Sequence, residues 1–236
     1  MSKISARKES SEGDWISISD LMAGLMMIFL FIAISFMNNL QIRANQVREI
    51  AVAYQELQDS LYSDLYNEFR NDLDDWRATI DRATLSVRFE EPTVLFPQGS
   101  ASVTARFAAI LTDFFPRYLT IISSTKYRDS IEEIRIEGHT SSEWQVDVDE
   151  ETAYFENMNL SQDRTRGVLR LCLSLVSDPE DRTWARRFIT ANGLSSSRLV
   201  LLPSGHEDRR ASRRVEFRTK TAAEQKVVEI IRKIED

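Results

Sequence analysis

"IEEIRIEG" (131–138) and "LSQDRTRGVLRLCLSLV" (160–176) carry two different hydrophobic periods within one stretch of chain. In the first, Ile131, Ile134 and Ile136 fall in a strand-like pattern; the second reads as an amphipathic helix starting at Leu160 or Ser161. The same change recurs on both sides. "TLSVRFEEPTVLF" (84–96) alternates as a strand, and "TARFAAILTDFFPRYLTII" (104–122) is helix-like up to Pro116. "RLVLLPSG" (198–205) and "RRVEFRTK" (213–220) read as further strands. Strands alternating with helices predict an α/β or α+β sandwich over residues 84–220, followed by a C-terminal helix over 221–236.

Working outward, 236 residues suit one such domain plus a membrane segment. The net charge of −7 disfavours a direct nucleic-acid partner. Cys172 is the sole cysteine, so no intramolecular disulfide forms. Two histidines and one cysteine, widely separated, make no zinc pattern. His139 is expected to be structural, with a ring nitrogen bonded to backbone. No nucleophile–base pair, metal cluster or phosphate loop appears, so neither an enzyme nor a cofactor is expected.

Residues 21–37 contain no charge. With Trp15, Ile16 and Ile18 ahead of them, the apolar run reaches about 22 residues, or roughly 33 Å of helix, enough to cross a bilayer. It continues into "NNLQIRANQVREI" (38–50), which looks helical rather than like a cleavage region. An uncleaved membrane helix over 15–38 is expected, with residues 1–14 as a cytoplasmic tail. Lys3, Arg7 and Lys8 before the span, against Arg43 and Arg48 after it, place the N-terminus inside and the rest in the periplasm of a bacterial inner membrane.

Asp20 stands at the front edge of this span. At the centre of a spanning helix an aspartate costs about 2.5–3.5 kcal/mol, so a plain anchor gains nothing from it. It either sits hydrated at the interface, capping with Ser17 or Ser19, or faces a protein partner and takes up and releases an ion. Ala23 and Gly24 lie one turn away and permit close helix approach, which suits the second possibility.

Beyond the span runs a polar segment, 39–83, with one apolar stripe. The stripe comprises Ile50, Tyr54, Leu57, Leu61, Leu65, Phe69, Leu73, Trp76 and Ile80. Its mean step of 3.75 residues is helical. It packs either on a second copy of itself or on the following domain. Self-pairing into a homodimeric stalk is the expectation favoured.

Five ordered blocks resemble the OmpA-like peptidoglycan-binding domain: "VLFPQGSASVT" (94–104), "IRIEGHT" (134–140), "NMNLSQDRTRGVLRLCL" (157–173), "ITANGLSSSRLVLLPSG" (189–205) and "SRRVEF" (212–217). The resemblance implies an α+β fold, a β-α-β-α-β sandwich. It also implies a ligand, the peptide stem of peptidoglycan with its diaminopimelate, and binding residues Thr140, Asn157, Leu160 and Arg164. Arg164 would hold a carboxylate from the first turns of its helix, with Asn157 in the loop ahead and Leu160 at the cap. The family usually has Asp after Gly-His-Thr; here Ser141 stands there. Glu143, Asp147 or Asp149 in the acidic insert "SSEWQVDVDEETAYFE" (141–156) could substitute.

An N-terminal span with a leading aspartate, then a helix, then this domain, resembles the B subunits of stator-type membrane motors. The span "SDLMAGLMMIFLFIAI" (19–34) resembles the type found in Zorya anti-phage defence more than the flagellar MotB type. This implies a homodimer inside a ring of five copies of a MotA-like membrane partner, ion translocation through Asp20, anchorage to peptidoglycan, and an indirect signal to cytosolic defence effectors. A flagellar-type stator subunit and a passive wall tether are the alternatives.

Overall fold

The computed structural model describes residues 5–90, 95–144 and 148–221, with side chains from Ser19 onward except Ile50. The expected C-terminal helix lies outside the described residues, apart from Thr221, which ends a strand. The described residues divide into two units, one ending at Val52 and one beginning at Ala53.

Helix α1 runs unbroken from Ser5 to Phe69. In its first unit it is long and apolar enough to cross a membrane, with a mean hydropathy of 2.2 over the best 18-residue window. None of the described residues covers that window. Leu21, Met26, Met27 and Phe31 are each more than 70% exposed, a surface that needs lipid or a partner protein around it.

The second unit begins within α1. Leu61, Leu65 and Phe69 are completely buried, in one core with Trp76, Phe89, Phe107, Phe114 and Phe217. The stripe's later half therefore packs on its own domain, which corrects the expectation of a self-paired stalk there. The aromatic side chains of Trp76, Phe89, Phe107 and Phe114 form the surface that receives this face of the helix. Polar contacts fix the register. Tyr127 Oη donates to Asp64 Oδ2 at 2.6 Å, and Arg117 bridges Glu68 and Asp72 at 2.7 and 3.0 Å. Nor is 39–83 one helix. α1 ends at Phe69, α2 covers Leu73–Trp76, Arg77 turns the chain at φ 52°, and strand β1 follows at Ala78–Asp81.

The rest is β2 (Ser86–Phe89), α3 (Ala105–Ile122), β3 (Ile131–His139), α4 (Glu150–Leu175), α5 (Pro179–Phe188), β4 (Ile189–Gly193), α6 (Arg209–Ser212) and β5 (Arg214–Thr221). The sheet order is β1-β2-β5-β3-β4, with β3 and β4 parallel and the other pairs antiparallel. The α+β sandwich is present, enlarged by the edge strand β1. Helix α3 passes through Pro116 instead of ending there. An interior proline costs about 3 kcal/mol. Tyr118, Leu119 and Ile122 beyond it are buried, and that burial offsets the loss. "RLVLLPSG" makes only an isolated bridge, Leu201 to Glu207, on a loop turned by Gly205 at φ 82°. The sequence reading did not name α5; Asp178 caps it by accepting from Glu180 and Asp181 N–H, and Pro179 opens its first turn.

Helix α4 starts ten residues earlier than expected. Asp149 caps it by accepting from Thr152 N–H, and Glu150 and Glu151 complement the dipole in the first turn. Two glycines let this helix lie close on the sheet. A Cβ at Gly193 would stand 2.3 Å from Gln162 N, and one at Gly138 would stand 2.6 Å from Thr165 Cγ2 and 3.0 Å from Ser161 O. Gly193→Ala should destabilise the detergent-solubilised protein by about 1–3 kcal/mol, as overpacking against backbone does. Gly167 lies inside α4 with its nearest neighbour at 3.7 Å. Gly167→Ala should therefore stabilise by about 0.5–1 kcal/mol. Urea melts of the two variants must move in opposite directions.

Candidate functional site

The close approach of α4 to β3 brings Thr140, just past the end of β3, against the middle of the helix. A cleft of about 450 Å³ opens there. Thr140, Asn157, Leu160 and Arg164, the four residues proposed for binding from the sequence, all line it, with Phe96, Gln98, Gly99, Ser141, Glu143, Trp144 and Arg213. The helix terminus does not contribute, since Asn157, Leu160 and Arg164 stand in the second to fourth turns of α4. Recognition of an anion here rests on side chains rather than on free helix amides.

Arg164 is held from two sides. Its Nε donates to the Ser100 carbonyl at 2.9 Å, and its guanidinium carbon lies 4.8 Å from the centre of the Phe96 ring. Among the described residues no carboxylate pairs with it; Asp163, the neighbour that could, pairs with Arg166. Burial first, and then the charge of Arg213, push its pKa down to about 10. It nevertheless stays charged at neutral pH. Asn157 is 3% exposed and donates through Nδ2 to the Glu143 carbonyl at 3.3 Å, tying the helix to the loop after β3.

Ser141, where the family carries aspartate, is buried. Of the acidic residues that could replace that aspartate, Asp149 is occupied as the cap of α4, and Asp147 lies outside the described residues. Glu143 is the carboxylate found among the described residues lining the cleft. It is half-exposed, 3.3 Å from Arg209. Ser142 is pinned to Glu207 through Oγ at 2.5 Å, which steadies the loop. The sequence reading missed Arg213. Strand alternation puts it on the same side as Val215 and Phe217, where an arginine stands out on an apolar face.

His139 lies behind the cleft. Neither ring nitrogen has a hydrogen-bond partner, which corrects the expected bond to backbone. Its Nε2 faces Glu137 and Glu216 at 3.8 and 3.9 Å. These three groups could in principle hold a metal ion. However, Glu216 is bonded to Arg214 at 2.5 Å and Arg88 at 3.0 Å, and Arg198 stands 3.7 Å from Glu137. Three guanidiniums against two carboxylates leave no negative field for a cation, so the group does not fit one.

Asp20 and Gly24 share a turn of α1 in the first unit, and none of the described residues lies within 4 Å of a Cβ placed on Gly24.

A search against family models finds no match. The chain is 44% identical over 225 residues to the Zorya protein ZorB of Escherichia coli, covering 95% of each. Among solved structures it resembles a MotB-like protein from Desulfovibrio vulgaris (TM-score 0.50, 22% identity, 74% of this chain and 94% of that one). A weaker likeness is to the cell wall anchor of the type VI secretion system of Pseudomonas aeruginosa (TM-score 0.45, 22% identity, 66% of this chain and 96% of that one).

Burial pushes the His139 pKa down to about 3; Arg214 adds to the shift and Glu216 opposes it. The folded protein thus keeps the ring neutral where the unfolded chain, near 6.5, binds a proton. The stability this provides is complete above pH 6.5 and falls as pH drops from there toward 3. The carboxylates whose pKa values are lowered on folding, Glu216 and Glu133 among them, lose their share only below their ordinary range. Between pH 6.5 and 4.5 stability should therefore fall by up to about 1.4 kcal/mol per pH unit. In His139→Gln that slope should flatten, as read by chemical melts across the window.

Proposed function

This chain belongs to the Zorya ZorB family, and from that membership we propose that it is the wall-anchored, ion-translocating stator subunit of a membrane motor acting in anti-phage defence. The apolar part of α1 crosses the inner membrane with the N-terminus in the cytoplasm. The domain from Ala53 onward stands in the periplasm. Its cleft holds the peptide stem of peptidoglycan, with Arg164 on a carboxylate, Thr140 and Asn157 on neighbouring polar groups, and Leu160 on the aliphatic part. Glu143 takes the place of the family's aspartate toward an ammonium group.

The observation that carries this reading is the cleft itself. A charged, partly buried arginine, with no acidic partner among the described residues, opens beside the three other family positions. An uncompensated guanidinium is costly to keep, and a carboxylate ligand relieves that cost.

Asp20 carries the ion. Neutralised by the ion, it sits more easily against the surrounding partner helices; bare, it favours water, so ion uptake and release change how the helix sits. One charge moved through 100 mV supplies about 2.3 kcal/mol. Two copies of this chain stand within five copies of a MotA-like partner, whose rotation signals to cytosolic effectors. The stator pair joins through the part of α1 that the domain leaves free. There Leu40, Ala44, Val47 and Ala51 recur at heptad spacing, and Leu40 is half-exposed.

In cells carrying the complete defence system, Asp20→Asn and Arg164→Ala should each abolish protection against phage while membrane levels of the protein stay unchanged. Full protection by Asp20→Asn would reduce the chain to a passive tether. For the pairing, single cysteines at Val47 should cross-link rapidly in a Cys172→Ser background, and cysteines at Leu61 should not. The reverse result would restore a seam through the later stripe.

A further inference from the structure

We propose that Arg213 is a second carboxylate-recognising residue of the cleft, so that Arg164 and Arg213 together grip one carboxylate of the ligand. This rests on the wall-binding reading above and adds a residue that it does not require.

Arg213 lines the same cleft as Arg164. Its Nε is buried with no hydrogen-bond partner, and among the described residues no carboxylate pairs with the side chain. The hydroxyl of Thr140, on the same cleft wall, is also buried and unpartnered. Arg213 Nε and the Thr140 hydroxyl are thus buried donors with no acceptor among the described residues, and both residues line the cleft beside Arg164. Arg164 and Arg213 are also close enough for the charge of one to weaken the proton affinity of the other. Two like charges held together without a counter-ion are unfavourable until an anion arrives between them. Elsewhere in the domain the buried arginine is satisfied: Arg214, one residue on, bonds to Glu216 at 2.5 Å and to two carbonyls. The contrast within "SRRVEF" separates a structural arginine from one kept free.

A carboxylate has two oxygens, and each can accept from a different guanidinium. With Arg164 Nε committed to Ser100, its terminal nitrogens are left for one oxygen, and Arg213 serves the other. Glu143 then lies toward the amino group of the same centre, so the cleft reads an α-amino carboxylate rather than a simple anion.

The test uses the full-length protein in detergent, pelleted with purified sacculi and titrated with free diaminopimelate. Arg213→Gln should weaken both by at least about tenfold, as losing a charge-assisted bond does. Arg213→Lys, which keeps the charge but not the fork, should recover part of the loss. Thermal stability of Arg213→Gln without ligand should be unchanged or higher, because the repulsion with Arg164 is gone; a merely structural arginine would give the opposite. Wild-type binding with Arg213→Gln equally tight would overturn the role of Arg213 and leave the wall reading standing. A wild type that binds neither sacculi nor diaminopimelate would overturn both.

Discussion

Contact between α4 and the sheet at Gly138 and Gly193 is the constraint from which the site follows. The strands β3 and β4 meet the helix where there is no room for a Cβ. Ser161 uses the proximity: its Oγ accepts from Ser195 N–H at 3.1 Å and donates to the Met158 carbonyl at 2.9 Å. Thr165, one turn on, is completely buried. With Ser161 and Thr165 clamped against the sheet, Leu160 and Arg164, each one residue before a clamped one, are turned to the rim. Thr140, two residues past Gly138, reaches the same rim from the strand. The cleft-lining positions converge because the packing positions beside them are so tightly held.

The end of α1 answers to a second constraint, the aromatic core. Phe114 contacts Phe69, Trp76, Phe89, Tyr118 and Phe217 with ring centres 5.1 to 6.0 Å apart. Two of these five rings come from the segment that precedes β1. Without Phe69 and Trp76 the domain would lack one side of its core, so the domain begins inside the helix and not at the first strand.

What the sequence made legible divides along the same lines. β3, the later half of α4, and β5 were readable because their apolar residues keep one period and face one layer. The four cleft residues were readable through family blocks, which preserve positions even where local elements are misjudged. The start of α4 was not: Asp149, Glu150 and Glu151 form a good N-terminal signal, but they sit in an acidic insert that resembles a loop in composition. β1 is four residues long and follows a helical stripe whose spacing runs into it through Trp76 and Ile80. The direction in which that stripe faces is a tertiary fact, since a helix with one apolar face fits a domain or a second copy equally well. Arg213 escaped notice because the adjacent Arg214 carries the same side chain in a quite different setting.

The buried end of α1 bears on how the proposed motor could transmit force. Complete burial of a Leu or Phe side chain is worth about 1.5–3 kcal/mol. Leu61, Leu65 and Phe69 are all completely buried, and Arg117 and Tyr127 add hydrogen bonds across the same seam. One charge falling through 100 mV delivers about 2.3 kcal/mol. Withdrawing the helix end from the domain would cost several times that, so no single ion step can pull it out. The work of a step must then appear as relative motion of the partner ring or as load on the cleft. In the cleft, the Arg164 guanidinium is itself pinned by Ser100 and Phe96. Under the proposed stator reading, load would pass through the domain from core side chains to α4, which is clamped to the sheet at Gly138 and Gly193.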